Sequence, residues 1–349
     1  MDGHSRTVDI MFSCIEDDSD SDDDGGMTAR YMSGTNIGHL LPAPEIVDDH
    51  ASSVHSLAIS HFGDIISGGC GEIYINRYGE FEETSDVKGI LCGFEPIYAL
   101  AVVYGVEPKF ISAHGDGLLR SWNLLSRTPL ACVTAHSGPI LGLAVLQGAE
   151  PVIITGSVDR TVKFYDPELN LLAQFPEQAD AVLALDAVWQ GEGSVVVTGL
   201  GDGAMAMWMY SPPETYMKIR DIVRCDVAIR CISMASDLFA VGKYDGSIDI
   251  RHVRSGELKF SLEGHLDVVR SLVIQETSYG CVLISGSWDS TVCIWDLETG
   301  SRVQVLRGHT DDVTTVAVSN GATPFVVSGS KDWSVRVWDI SNILGRATR

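Results

Sequence analysis

The chain contains no apolar run on the order of 18 residues, the length a helix needs to cross a bilayer. Its first fifteen residues carry Asp2, His4, Arg6 and Asp9 and lack an apolar h-region, so no secretory leader is expected. Basic charge is scarce: 24 Lys and Arg stand against 47 Asp and Glu, a net charge of −23. Such a field repels a phosphate backbone, which makes nucleic acid a poor partner and biases association toward basic surfaces. The eight cysteines form no CxxC pair and no paired His spacing. Several sit inside strand-like runs, as Cys293 does, and read as reduced core residues of an intracellular protein. Neither a structural metal nor a cofactor is expected. The location these absences imply is the cytoplasm, with the nucleus open as well.

What the chain has instead is a beat. Asp116, Asp159, Asp202, Asp245, Asp289 and Asp332 follow one another at gaps of 43, 43, 43, 44 and 43 residues. A period on the order of 20–50 residues is the mark of a repeat architecture. It overrides the soft expectation of about 150 residues per domain, which would have divided the chain in two. Before each Asp runs a β-branched segment, and after it a second alternating one. Pro108, Pro151 and Pro324 each stand four residues before the Ser or Thr of their strand, where a missing N–H falls in a turn.

Two units are the fullest. One reads Gly264-His265, then Ile284-Ser285-Gly286-Ser287-Trp288-Asp289, then Thr291-Val292-Cys293-Ile294-Trp295-Asp296. The other reads Gly308-His309, then Val327-Ser328-Gly329-Ser330-Lys331-Asp332, then Ser334-Val335-Arg336-Val337-Trp338-Asp339. On these residues the chain resembles the WD40-repeat family over about residues 50–340. The resemblance implies an all-β, seven-bladed propeller with repeats near 50–92, 93–135, 136–177, 178–224, 225–264, 265–308 and 309–340. Residues 1–39 hold nine Asp and Glu against Arg6 and Arg30 and read as an acidic, mostly disordered segment. Within it Ser19 and Ser21, each followed by an acid, resemble acceptors for an acidophilic kinase. The propeller is expected over 40–343, with 344–349 as a tail.

The resemblance also implies a buried relay in which a turn Asp and a Ser or Thr hydroxyl flank a His, and a Trp indole donates to the hydroxyl. His265, Ser285, Asp289 and Trp295 make one complete set, and His309, Ser328, Asp332 and Trp338 another. His136, Thr155 and Asp159 form a third, with Tyr165 as its expected phenolic donor. Elsewhere the relay erodes: Gly93 and Gln178 replace the His, the fifth repeat keeps only Asp245, and the first has Gly71 or Glu72 where Asp belongs. The recurrence of His, Ser and Asp at the repeat period argues against a hydrolase triad, which needs one nucleophile in one cleft. The clusters 68–71 and 199–203 precede strands rather than helices, so their glycines suit turns better than phosphate cradles. No catalytic residue is expected.

Closing the ring requires one more outer strand, for which about Leu40–Val47 is the first choice and Arg6–Phe12 the rival. The residue before each turn Asp, and the one after each inner strand's apolar residue, are expected to point to the narrow face. They give Gly115, Val158, Gly201, Tyr244, Trp288 and Lys331, then His55, Tyr98, Leu141, Leu183, Arg230, Arg270 and Thr314. Arg230, Tyr244, Arg270, Trp288 and Lys331 gather on the last three repeats as a basic and aromatic sector of the kind enriched at binding hot spots. The expected function is a non-catalytic scaffold, a monomeric ring that docks proteins or peptides there, acidic or phosphorylated ones first. The alternatives are a ubiquitin-ligase receptor or adaptor, or the interaction module of a larger trafficking or signalling assembly. Some WD40 receptors of cullin-4 ligases carry Arg two residues after Trp-Asp, where this chain has Glu298 and Ser341.

Overall fold

The computed structural model describes residues 10–12, 45–77, 89–190, 193–211, 215–222, 224–277, 280–319 and 324–340. These residues form strands and turns, with no helix among them. The strands hydrogen-bond antiparallel to their chain neighbours, so each repeat folds as a meander. Inner strands are buried along their whole length, as Ile140–Leu146 and Val313–Val318 are. Outer strands such as Pro129–Thr134 and Ser301–Arg307 are mostly exposed. This gradient explains why inner strands read as continuous apolar runs and outer ones as polar alternation.

The sequence leads to an expectation of seven separate sheets. Hydrogen bonding gives four sheets of four strands, one of five and one of seven. The seven-stranded sheet arises because Ile90–Val103 runs unbroken through Gly93. Its first part pairs with Cys70–Arg77 and its second with Lys109–His114. The five-stranded sheet gains Ile10–Phe12, which pairs with the inner strand Ile140–Leu146. That pairing places the end of the Arg6–Phe12 segment away from the last repeat. Glu45–Asp49 pairs antiparallel with Ser334–Asp339 and so joins the two ends of the array. Residues 40–44 of the expected closing strand lie outside the described residues, as do Ser19 and Ser21.

The packing between sheets depends on small residues at one recurring position. A Cβ placed on Gly286 would stand 2.8 Å from a Val313 methyl, and one on Gly329 would stand 2.6 Å from a Val54 methyl. Each glycine lets the next inner strand approach closely, and the Gly329–Val54 contact carries the same packing from the last repeat to the first. The seam is also polar: Val54 N–H donates to Ser330 O at 3.1 Å, and His50 N–H to Trp333 O at 2.9 Å.

Candidate interaction face

The turn aspartates are held by dense local bonding. Asp289 meets His265 Nδ1 at 2.9 Å and accepts from the Leu266 and Thr291 amides, while His265 Nε2 lies 2.7 Å from Ser285 Oγ. Trp295 Nε1–H donates to the same hydroxyl at 2.8 Å. In the last repeat the corresponding distances are 2.8 Å for His309–Asp332, 2.7 Å for His309–Ser328 and 2.8 Å for Trp338–Ser328. Burial alone would raise these carboxyls, but hydrogen bonds from His and Thr or Ser hold Asp289 and Asp332 well below the usual carboxylate range. Burial opposes a charge on His265 too, yet its Asp289 bond and Cys293 outweigh it and push it up to about 9.

The eroded repeats find other solutions. In the third, His136 sits 3.0 Å from Asp159 and 2.8 Å from Thr155, but the Tyr165 phenol donates to the Ala135 carbonyl instead of the Thr155 hydroxyl. Burial would raise Asp159, yet bonds from Thr161, His136 and Ser137 bring it to about 2. In the second repeat His114 supplies the missing imidazole from a neighbouring strand position. Its Nε2 lies 2.8 Å from Ser112 Oγ, which accepts from Trp122 Nε1–H at 2.9 Å. In the first, His50 meets Ser67 at 2.8 Å, with Glu72 3.7 Å from its other nitrogen. Burial pushes His50, His114 and His136 each down to about 4. The fourth keeps only the Trp208–Thr198 bond at 3.2 Å, because Gln178 turns to the Pro176 carbonyl. The fifth replaces the relay with charge: Asp249 takes Lys243 at 3.1 Å and Arg251 at 3.0 Å.

Above these relays the inner strands present two unlike halves. Tyr98, Leu141 and Leu183 pack with Val158 and Ala181 as one apolar cluster. Across from them, Trp288 is the hub of a cationic group. The Arg270 guanidinium lies 5.2 Å from its ring centre and the Lys331 ammonium 5.5 Å, and Tyr244 meets it edge-on at 6.4 Å. Four of the five residues singled out by sequence are thus brought together. Arg230 lies on the inner strand Ile229–Met234 of the adjoining sheet.

The structure corrects the expectation that the arginines are exposed. Arg230 and Arg270 are 0 % and 1 % accessible, while Tyr244, Trp288 and Lys331 are half-buried. The residue after the apolar position of an inner strand is walled by neighbouring sheets, which a linear reading does not reveal. Burial pushes Arg270 down to about 9, against the pull of Asp312. Arg270 Nε and Nη1 and the Trp288 indole N–H are buried without a hydrogen-bond partner among the described residues. Lys331 reaches Asp312 at 3.4 Å. A buried donor left unmade costs about 1–3 kcal/mol. Such groups in a native structure call for a specific explanation.

A ring of meander sheets packed through small residues, locked by His–Asp–Ser–Trp relays, defines a β-propeller built from repeats. The repeats are WD40 repeats, and the chain is a WD40-repeat protein. The "WD domain, G-beta repeat" family matches at residues 127–166, 256–296 and 300–339. Human striatin-3 is 25% identical over 285 residues, covering 71% of this chain and 34% of striatin-3. The guanine nucleotide-binding protein subunit beta of Zea mays is 30% identical over 204 residues, covering 54% of this chain and 51% of that subunit. This chain therefore matches only about a third to a half of the length of these relatives. Among solved structures, the WD40 β-propeller domain of Doa1 superposes with a TM-score of 0.67 at 20% identity, over 86% of this chain and 96% of that one. That likeness concerns the fold alone. No helix among the described residues is long and apolar enough to cross a membrane.

Proposed function

We propose that this chain is a non-catalytic scaffold, a monomeric seven-bladed propeller that docks partner proteins through acidic or phosphorylated peptide segments. The seven-stranded sheet counts as two blades that share Ile90–Val103. The docking site is the basic-aromatic sector around Trp288, reached from the cytoplasm. The observation that carries this reading is the Arg270–Trp288–Lys331 stack, in which buried donors on Arg270 and Trp288 meet no acceptor among the described residues. An incoming anionic oxygen would complete those bonds in a setting where charge-assisted bonds are strong. Protein-level similarity to striatin-3 and to G-protein beta subunits supports a role in assembling proteins.

The test is affinity capture from the native cell with the wild-type chain and with Arg270→Met and Lys331→Glu, read by quantitative mass spectrometry. The expected result is loss of the same partners from both variants while the control Arg302→Ala, exposed on the outer strand Ser301–Arg307, retains them. Unchanged partner sets in both variants would sink the sector as the docking site.

A further inference from the structure

The residue following the turn aspartate sits in the left-handed region around the whole array. Gly117, Gly203 and Gly246 occupy it at φ 79°, 82° and 82°, and in the first repeat, which has no turn aspartate, Gly71 after Cys70 stands at 78°. Arg160 and Ser290 hold it at 67° and 61°. The last repeat places Trp333 there at φ 69°, 55% accessible to solvent. A bulky aromatic in this conformation is strained, because its Cβ crowds the following carbonyl. Glycine serves the turn in four other repeats, so the turn itself does not require an indole. Backbone strain held at an exposed aromatic points to use of that side chain.

Its position gives that use a direction. Trp333 is two residues from Lys331, whose ammonium stacks on Trp288. On the adjoining sheet Leu266 is 91% accessible, two residues before Val268, whose carbonyl accepts from the Trp288 backbone amide at 3.0 Å. Thus the two turns that carry Lys331 and lead into Arg270 also carry an exposed aromatic and an exposed aliphatic side chain. The anion itself is constrained by charge: Asp332 follows Lys331 in sequence, and Asp312 lies 3.4 Å from its ammonium. A dianionic phosphate would meet this acidic surround, whereas a single carboxylate is matched by one buried guanidinium with open donors.

We propose that Trp333 is the apolar anchor of the docking site, so that the peptide bound there pairs a carboxylate side chain with a large apolar one at a fixed short offset. This rests on the docking reading above and narrows it to acidic-apolar peptides of a partner protein. The carboxylate bonds Arg270 and the Trp288 indole, while the apolar side chain lies against Trp333 and Leu266.

The probe is a random twelve-residue peptide library displayed on phage and selected on the full chain. The best selected peptide is then measured by fluorescence polarisation against wild type, Trp333→Gly, Trp333→Phe and Arg270→Met. Selection is expected to enrich Asp or Glu at a fixed spacing from Phe, Leu or Trp. Trp333→Gly should weaken the selected peptide about tenfold or more, while its melting temperature stays level or rises by about 1–3 °C as strain is relieved. Trp333→Phe should restore affinity to within about threefold of wild type. Unchanged affinity in Trp333→Gly together with loss in Arg270→Met would overturn the anchor and leave the docking reading standing. A melting temperature several degrees lower in Trp333→Gly would overturn it as well, by making the ring a structural part. Phosphopeptides preferred over their Glu counterparts would overturn the choice of carboxylate. Enrichment of peptides without acidic residues would sink both readings.

Discussion

The two halves of the propeller's inner edge are built on opposite principles. Tyr98, Leu141 and Leu183 bury apolar surface against one another and leave no polar group in question. Around Trp288, two cations and an indole are packed together, and donors on Arg270 and Trp288 meet no acceptor among the described residues. The first half is what stability alone would select, since apolar burial contributes about 25 cal/mol per Å². The second contributes less to stability than an apolar replacement of the same shape would. A region that departs from the local optimum while its counterpart conforms is where function is to be sought.

The comparison can be attacked first through the relays that hold the ring under both halves. Asp332→Ala removes the acceptor of His309, of the Thr310 amide and of the Ser334 hydroxyl. It should cost about 3 kcal/mol or more, because it strands several buried donors. Asp245 caps only its own turn through Ser247, so Asp245→Ala should cost under about 1 kcal/mol. Urea unfolding of both variants measures the pair, and equal losses would refute the relay as the source of rigidity.

On the apolar half, Leu141→Ala should cost about 2–4 kcal/mol as a buried cavity opens. Partner capture by that variant should match wild type at a temperature where it remains folded. Loss of partners there would erase the functional distinction between the halves.

Acid should act in two stages. The folded chain holds His50, His114 and His136 at about 4, below the ordinary 6.5. The unfolded chain therefore binds more protons in that window, and stability present above 6.5 is lost as pH falls toward 4. Asp159, held at about 2 against an ordinary 3.8, contributes stability that is present above 3.8 and lost as pH falls through about 2. His265 has the opposite sign, its contribution being full below 6.5 and lost as pH rises through about 9. Denaturant titrations from pH 7 down to 3 should show a continuous decline, and a flat profile would contradict these assignments.

Much of the scaffold was legible because repetition exposes it. The Asp period and the Gly-His and Trp-Asp signatures follow from spacing along the chain, and the relays of His265 and His309 from the resemblance to the WD40 family that those signatures carry. What escaped depends on neighbours distant in sequence. His114 could have been suspected from Ser112 and Trp122, which keep the ten-residue spacing of the complete relays, with a spare His two residues on. The Lys243–Asp249–Arg251 cluster leaves no repeat signature. The Tyr165 phenol is drawn off by the Ala135 carbonyl, an acceptor every residue carries. Trp288, Lys331, Arg270 and Tyr244 were gathered by register alone, but the burial of Arg230 and Arg270 depends on how the sheets close around them.

The most direct trial of the contrast is one variant read two ways. Arg270→Met fills the guanidinium's place with an apolar chain of similar length, and its melting temperature and partner capture are measured together. The account predicts an unchanged or higher melting temperature with the docked partners lost, the signature of a charge kept for binding. A melting temperature several degrees lower with every partner retained would contradict it.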